Sequence, residues 1–425
     1  MKKFLSCLLA GVMAASVFVG GPMTVAAEED HEIVIWCWDS SESREQMHAD
    51  FTADTGIKVT LEMVDKKDMA QKIQTTIASG GELPSICWCE ATYRGTLLNL
   101  GCWEDIIAAG FNADQMLPYV IPLDSDVNGN YIGPECPSIG GIAYKRELAL
   151  EYLGTDDPDE LQAMFTSWDD FIKYGKEVQE KSDGKVFMFS SLGDVGIMLK
   201  GQGAAPFVTG DEITFEDSMK PLMSTLIDFA ANGVCDVLEY DSAEDGASYT
   251  DDTHIFYPCA NWSIVFTIQA NDPEKAHDWG FFVAPGGGFV MGGTTMCVPK
   301  GGKNLEDTIT YLNYFWADER GAKLQRKYKG NFSPLKTLYE GDEIFYSKEE
   351  EWFRGQDVLS VIQTKILPDI KEARVPTIYD TAITNAYTLA YKKINAANGD
   401  VTVDEILDYM AQNMMDNEPN LTRAN

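Results

Sequence analysis

The sequence predicts an α/β protein of two lobes, each a mostly parallel sheet flanked by helices, and three observations predict it. Between Glu32 and Glu90, dense β-branched and aromatic runs alternate with segments of helical period, as in strands buried on both faces and joined by crossover helices. At 425 residues the chain is longer than one ordinary core organises. No long Pro- or Ser-rich linker divides it, so short crossings of the chain must join the lobes.

Lys2 and Lys3 precede an apolar run from Phe4 to Val19, and small residues stand at Val25, Ala26 and Ala27. This is the layout of a secretory signal peptide, residues 1–27, cleaved after Ala27. The run is short for a membrane anchor, and Gly20, Gly21 and Pro22 end it. Cys7 sits inside the signal with almost no hydrophobic segment before it, so no lipid-modified cysteine is expected. The mature protein is expected outside the cytoplasm, in a periplasm or on the outer face of the membrane.

Glu32 to Trp38 (EIVIWCW) is hydrophobic without alternation and reads as the first strand. Ser40, Ser41 and Ser43 offer caps for a helix through Phe51, Gly56 stops it, and IKVTLEMV is the second strand. Asp68 to Ala78 is helical in period, and Pro84 leads into SICWC, the third strand. Short links between these elements imply right-handed parallel crossovers, and ligands of such sheets sit at the carboxyl ends of strands. Trp38 with Asp39, and Trp88 with Glu90, occupy two of those ends.

Further on, IAYKREL reads as a strand, and Thr166, Ser167 and Trp168 open a helix. Residues 193–210 are Gly-rich, 236–252 form an acidic loop, and HIFYPCANW is a strand leading to Trp262. WGFFVAPGGG and GFVMGGTTMCVPKGG read as strands paired with one another, and the remainder is largely helical. No repeat of solenoid period occurs.

Composition subtracts functions. With 33 basic and 67 acidic residues the formal charge is −34, which repels nucleic acid and anionic lipid. Eight cysteines beyond Cys7 are too few for a disulfide framework of this length, and Cys87 and Cys89 do not make a CxxC motif. No zinc spacing, GxSxG elbow, HExxH or P-loop is present, and the four histidines are scattered. No catalytic residue, metal ligand or cofactor is expected, and the chain reads as a non-enzyme.

One segment matches a calcium loop: Asp124, Asp126, Asn128, Gly129 and Glu135 have the required spacing. Flanking helices are missing, since Pro134 and Pro137 come next, and the competing reading is a hairpin turn on Asn128–Gly129.

The aromatic residues carry the binding signal. A sugar presents an apolar C–H face and a rim of hydroxyls, so its site needs flat rings beside carboxylates or amides. Trp38 precedes Asp39, Trp88 lies two before Glu90, and Asn261 precedes Trp262. Trp36, Trp103, Trp168, Trp279 and Trp316 read as core.

Several segments, in order, resemble one family. IVIWCWDSSESREQMHADFTADTGIKVTLE, ASGGELPSICWC, YIGPECPSIGGIAYKREL, TSWDDF, YPCANW, MGGTTMCVPKG and NAANGDVTVDEILDYM are each similar to stretches of the extracellular solute-binding proteins of ATP-driven sugar importers, the maltose-binding-protein-like family 1. The resemblance covers essentially the whole mature chain and implies the type II periplasmic-binding-protein fold, with a ligand cleft between lobes that close by a hinge. It implies crossings near Pro134 to Ser138, near Gly292 and around Gly330, giving an N-terminal lobe of 28–136 plus 292–329 and a C-terminal lobe of 137–291 plus 330–425. Carried over by position are Trp38, Asp39, Glu90, Glu135, Ser138, Trp262 and Tyr379; Trp88, read from its place two before Glu90, and Gly292, at a crossing, complete the expected ligand-binding set.

Implied partners are a sugar or oligosaccharide and the permease subunits of an ABC importer, with the protein a monomer. Ser85 stands where the family often has Asp, Asn261 where it has Gly, and its lipobox is absent. The rival readings are the same fold on a non-sugar polar or cationic solute, and a secreted glycosidase, which would need two carboxyls flanking the bound bond.

Overall fold

The strands in chain order are β1 (Glu32–Cys37), β2 (Lys58–Met63), β3 (Ile86–Glu90), β4 (Ile139–Lys145), β5 (Phe187–Phe189), β6 (Val208–Thr209), β7 (Glu212–Ile213), β8 (His254–Ala260), β9 (Trp279–Phe282), β10 (Phe289–Val290), β11 (Thr294–Cys297) and β12 (Thr422–Arg423). This computed structural model describes residues 31–340 and 344–423, so the expected signal peptide lies outside the described residues.

The first sheet runs β11-β3-β1-β2, with β1 parallel to β2 and β3 and with β11 antiparallel to β3. Its apolar runs fill the core as the sequence requires. Ile33, Ile35, Ile86 and Cys87 are buried against Phe51 of the Glu42–Thr55 helix and Ile73 of the Lys66–Ala78 helix. Gly56 at φ 79° ends the first of these helices.

The second sheet runs β10-β4-β8-β5, with β9 on the same edge of β4 as β10. Only β5 and β8 pair in parallel; β4 is antiparallel to β8, β9 and β10. The parallel expectation therefore holds in the first sheet and fails in the second. A run of buried residues reports that both faces are covered, not which way its neighbour travels. For the same reason the two glycine-punctuated strands after Trp279 do not pair with one another. β9 and β10 join β4, while β11 crosses to β3.

The Gly-rich stretch is also more regular than its composition suggests. Leu192–Gln202 is a helix, opened by a capping box between Ser191 and Asp194. Aromatic packing holds the second lobe: Phe165 stacks on Phe171 at 4.2 Å and meets Phe256 edge-on at 5.2 Å. Ser167 caps the Trp168–Lys181 helix in a second capping box, as its sequence position implied.

Among the described residues the chain passes three times between the bodies built on the two sheets. The Met296 and Val298 amides donate to the Pro134 and Ile132 carbonyls, and β4 begins at Ile139, so the first crossing spans 134–138. The second is Met291–Gly293, between β10 and β11. The third lies beyond Gly330. Residues up to Lys336 still bond to the first lobe, through the Leu117 amide to the Pro334 carbonyl and the Lys336 amide to the Gln115 carbonyl. Contact with the second lobe begins where the Trp352 indole donates to the Asp272 carbonyl and Gln356 brackets Phe281.

The lobes also touch across the cleft mouth, where the Arg94–Leu98 helix meets the start of the Asp380–Ala396 helix. Gly95 makes this approach possible, because a Cβ there would overlap the Thr377 carbonyl oxygen. Gly95→Val should leave each lobe folded but hold them apart: solution scattering should show a larger radius of gyration, and ligand-induced compaction should be lost.

Candidate functional site

Between the lobes lies a cleft of about 450 Å³. Its first wall begins at the carboxyl end of β3, where Glu90, Thr92 and Arg94 follow one another. The opposite wall has three parts: the Leu192–Gln202 helix with Gly193, Ile197 and Lys200; the segment carrying Tyr240, Asp245 and Tyr249; and the Asp380–Ala396 helix with Asp380, Thr384, Thr388 and Tyr391. Trp262, Phe266, Met291 and Gly292 form the back. A second hollow of about 360 Å³ beside Trp168 and Pro221 has no charged side chain in its lining, whereas the cleft sets carboxylates and cations beside its rings.

Trp262 follows β8 and is held in place from two sides. Its Nε1 donates to the Met291 carbonyl at 3.0 Å, and Gly292, at φ 77°, lies so close that a Cβ would stand 3.2 Å from the indole. The ring is thereby fixed against the second crossing with part of its surface open to the cleft. Glu90 is half-buried, and one of its oxygens accepts from the Thr92 amide at 2.8 Å. Such a bond fixes the carboxylate while leaving further lone pairs for a ligand hydroxyl.

Under the first wall, Arg94 is buried with two carboxyls, paired with Glu135 and 3.6 Å from Asp124. Thr295 on β11 donates to Asp124. Burial pushes Glu135 well above the usual carboxylate range against the pull of Arg94, and Asp124, also desolvated, is raised to about 6. One guanidinium cannot neutralise two desolvated carboxylates, so the group retains a proton near neutral pH. Gly293, at φ 122°, leaves the room for it, since a Cβ there would overlap both Glu135 and Arg94.

A second shared proton lies behind the opposite wall. Ser190 Oγ is 2.6 Å from Asp194 and 2.7 Å from Asp245. One hydroxyl hydrogen serves one acceptor, so the other contact uses a carboxyl hydrogen. Burial, then the charge of Asp245, raises Asp194 to about 8. Asp245 also accepts from the Asp241 amide at 2.9 Å.

Of the nine sequence-derived site residues, Glu90, Trp262 and Gly292 line the cleft. Glu135 lies under its floor with Arg94, and Ser138 is buried at the first crossing, where its carbonyl accepts from the Met291 amide. The other four stand elsewhere. Trp38 meets Trp88 edge-on at 4.9 Å, and the Arg44 guanidinium covers Trp88 at 4.7 Å. Asp39 is held between Arg44 at 2.9 Å and Lys329 at 2.8 Å, and these cations keep its pKa well below the usual range despite burial.

Tyr379 is buried in the second-lobe core and donates to Asp211 at 2.6 Å. Its expected place is taken by Tyr391, three turns along the same helix. These four do not line the cleft, because position after a strand or on a late helix does not fix which neighbour satisfies a side chain.

The sequence reading missed Arg94, Lys200, Asp245, Arg374 and the polar stripe Asp380, Thr384, Thr388, Tyr391. That stripe recurs at helical spacing on a helix whose other face, Ala382, Ile383, Ala386 and Ala390, is apolar, so it was legible as a second, polar face. The calcium-loop spacing resolves as a hairpin. Asp126 accepts from the Asn128 and Asn130 amides, Ser125 bridges Tyr131, and Asp124 and Glu135 turn inward to Arg94. Among the described residues no acidic, His or Cys group is arranged to hold a metal ion. All eight described cysteines are free thiols.

A model of bacterial extracellular solute-binding proteins matches residues 46–352. The chain belongs to this family. The lactose-binding protein of Rhizobium radiobacter is 25% identical over 391 residues, spanning 83% of this chain and 86% of that protein. Among solved structures, an extracellular solute-binding protein of family 1 superposes with a TM-score of 0.75 at 17% identity, covering 91% of this chain and 99% of the other. The galacto-N-biose-/lacto-N-biose I-binding protein of the ABC transporter of Bifidobacterium longum gives 0.72 at 18% identity, covering 92% and 98%. This solute-binding protein therefore has the two-lobed type II fold, and the cleft lies where that fold closes. Its family is one of exported binding proteins, and no described helix is long and apolar enough to cross a membrane.

Removing the floor cation should be costly. Arg94→Ala leaves two buried carboxyls without their partner and should lower unfolding free energy by about 3–5 kcal/mol, read by denaturant titration. Asp194 gives a pH signature. Because folding raises its pKa, the folded state binds the extra proton between the unfolded value near 4 and about 8. Stability should fall as pH rises through that window. Asp194→Asn should flatten the fall in thermal unfolding measured from pH 5 to 9.

Proposed function

We propose that the protein is the extracytoplasmic substrate-binding component of an ABC importer, which captures a carbohydrate of oligosaccharide size by lobe closure and delivers it to membrane permease subunits. The observation that carries this reading is the Trp262 ring, pinned by Met291 and Gly292 at the back of a cleft whose walls carry carboxylates, threonines and tyrosines. A fixed indole offers a flat apolar surface for the C–H face of a sugar, and the surrounding acceptors and hydroxyls suit its rim. Family membership and the lactose-binding relative support it.

Closure follows from where the contacts sit. Glu90 and Arg94 belong to the first lobe, and Lys200, Asp245, Trp262 and Asp380 to the second, so only the closed form lets one ligand meet both sets. A ligand stabilises that form by its differential contacts there. The lobes so proposed are residues 28–136 with the segment from 292 past Lys336, and 137–291 with the chain from Trp352 onward. Export by a signal cleaved after Ala27 and action as a monomer complete the reading.

A carrier rather than a hydrolase fits the cleft carboxylates. Asp380 is held by Arg374 and Thr377, Asp245 by Ser190 and the Asp241 amide, and Glu90 by the Thr92 amide. Each is positioned as an acceptor. A labelled oligosaccharide incubated with the protein should be recovered intact. In calorimetry, Trp262→Ala should weaken binding of the sugar found in a thermal-shift screen by about 2 kcal/mol or more, as expected for a central aromatic contact; unchanged affinity would remove Trp262 from the site.

A further inference from the structure

Lys200 is the one lysine on the cleft-facing stripe of the Leu192–Gln202 helix, whose members Gly193, Ile197 and Lys200 recur at helical spacing. The side chain is half-buried, and among the described residues its ammonium makes no hydrogen bond or ion pair; its described cation contact is the Tyr387 ring, 5.3 Å away. In a chain with 67 acidic and 33 basic residues, a desolvated cation without a counter-ion is unusual, because burying an unpaired charge is costly. The adjacent acid is already committed: Arg374 binds Asp380 at 3.1 and 3.3 Å, and Thr377 also donates to it. Lys200 thus stands beside a neutralised pair as a surplus single positive charge. Burial, then the neighbouring Arg374, lowers its pKa to about 8 against the opposing pull of Asp380.

The geometry fixes where this charge falls on a ligand. Gly193 packs against Tyr240 at the Asp245 end of the cleft, and Gly201, next to Lys200, packs against the Val290 carbonyl at the hinge end. Seven residues of helix separate Gly193 from Lys200, a rise of roughly 10 Å, about the length of two sugar rings. One end of the cleft therefore offers acceptors for hydroxyls and the other a lone cation.

We infer, on the basis of the carbohydrate reading above, that the ligand is an acidic sugar whose carboxylate is received by Lys200 at the hinge end of the cleft, in the manner of a uronic acid unit. A single uncompensated positive charge matches a monoanionic carboxylate better than a phosphate, which carries close to two negative charges at neutral pH. The remaining cleft cations are otherwise placed: Arg94 is paired with Glu135, and Lys66 is exposed at the rim.

The test is calorimetry on the mature protein with matched ligands. Lactose, β-1,6-galactobiose and maltose are each compared with the derivative in which one C6 hydroxymethyl is oxidised to a carboxylate, and with the 6-phosphate. At least one uronate should bind tenfold or more tighter than its neutral parent and tighter than its phosphate. Lys200→Gln should bring that uronate within threefold of the neutral parent measured on the same variant, and Lys200→Arg should keep the preference. Thermal unfolding of both variants verifies that they are folded.

Equal or better binding of the neutral sugars overturns the carboxylate assignment and leaves the carbohydrate reading standing. Preference for the phosphates, or a uronate preference that survives in Lys200→Gln, also overturns it. Absence of binding by every sugar overturns both.

Discussion

The buried guanidinium of Arg94 ties together most of what makes a cleft in this molecule. Its partner Glu135 belongs to the first crossing, Asp124 to the hairpin, and Thr295, bonded to Asp124, to β11 just past the second crossing. Gly293 is compressed against the same group. A cation with two desolvated acids is tolerated only with its geometry satisfied, so the floor of the cleft, the end of β3 and two hinge segments are locked as one body.

The same economy of charge recurs across the cleft. Asp39 is clamped by Arg44 and Lys329, Asp380 by Arg374, and Asp194 and Asp245 share Ser190. Each of these buried acids is thus answered by a local partner. Lys200 departs from this pattern, since among the described residues its ammonium makes no hydrogen bond or ion pair. In the proposed reading, the aromatic surface of Trp262 and the ammonium of Lys200 divide recognition between ring face and charge.

Much of the fold was legible. The runs at β1 and β3 were too apolar to be anything but doubly covered strands, and the Ser167 cap marked its helix because the capping atoms are local. The second sheet resisted because its strand directions depend on how the chain returns after a long helical excursion between β4 and β8. Trp262 lines the cleft from a turn after a strand, while Trp38 and Tyr379 do not line it, being held by Trp88 and Asp211, which are distant in sequence.

By itself the sequence determined the α/β character, the first parallel sheet, the absence of known catalytic signatures and the ordered motifs that mark the family. These rest on interactions within a few residues: periodicity, caps, turns and the burial they imply. Tertiary structure alone decided which carboxylates line the cleft and which became counter-ions, and which cleft lysine makes no ion pair among the described residues. That choice depends on which groups the two lobes bring within a few ångströms, and Coulomb and desolvation energies at that range are set by neighbours the chain recruits from hundreds of residues away.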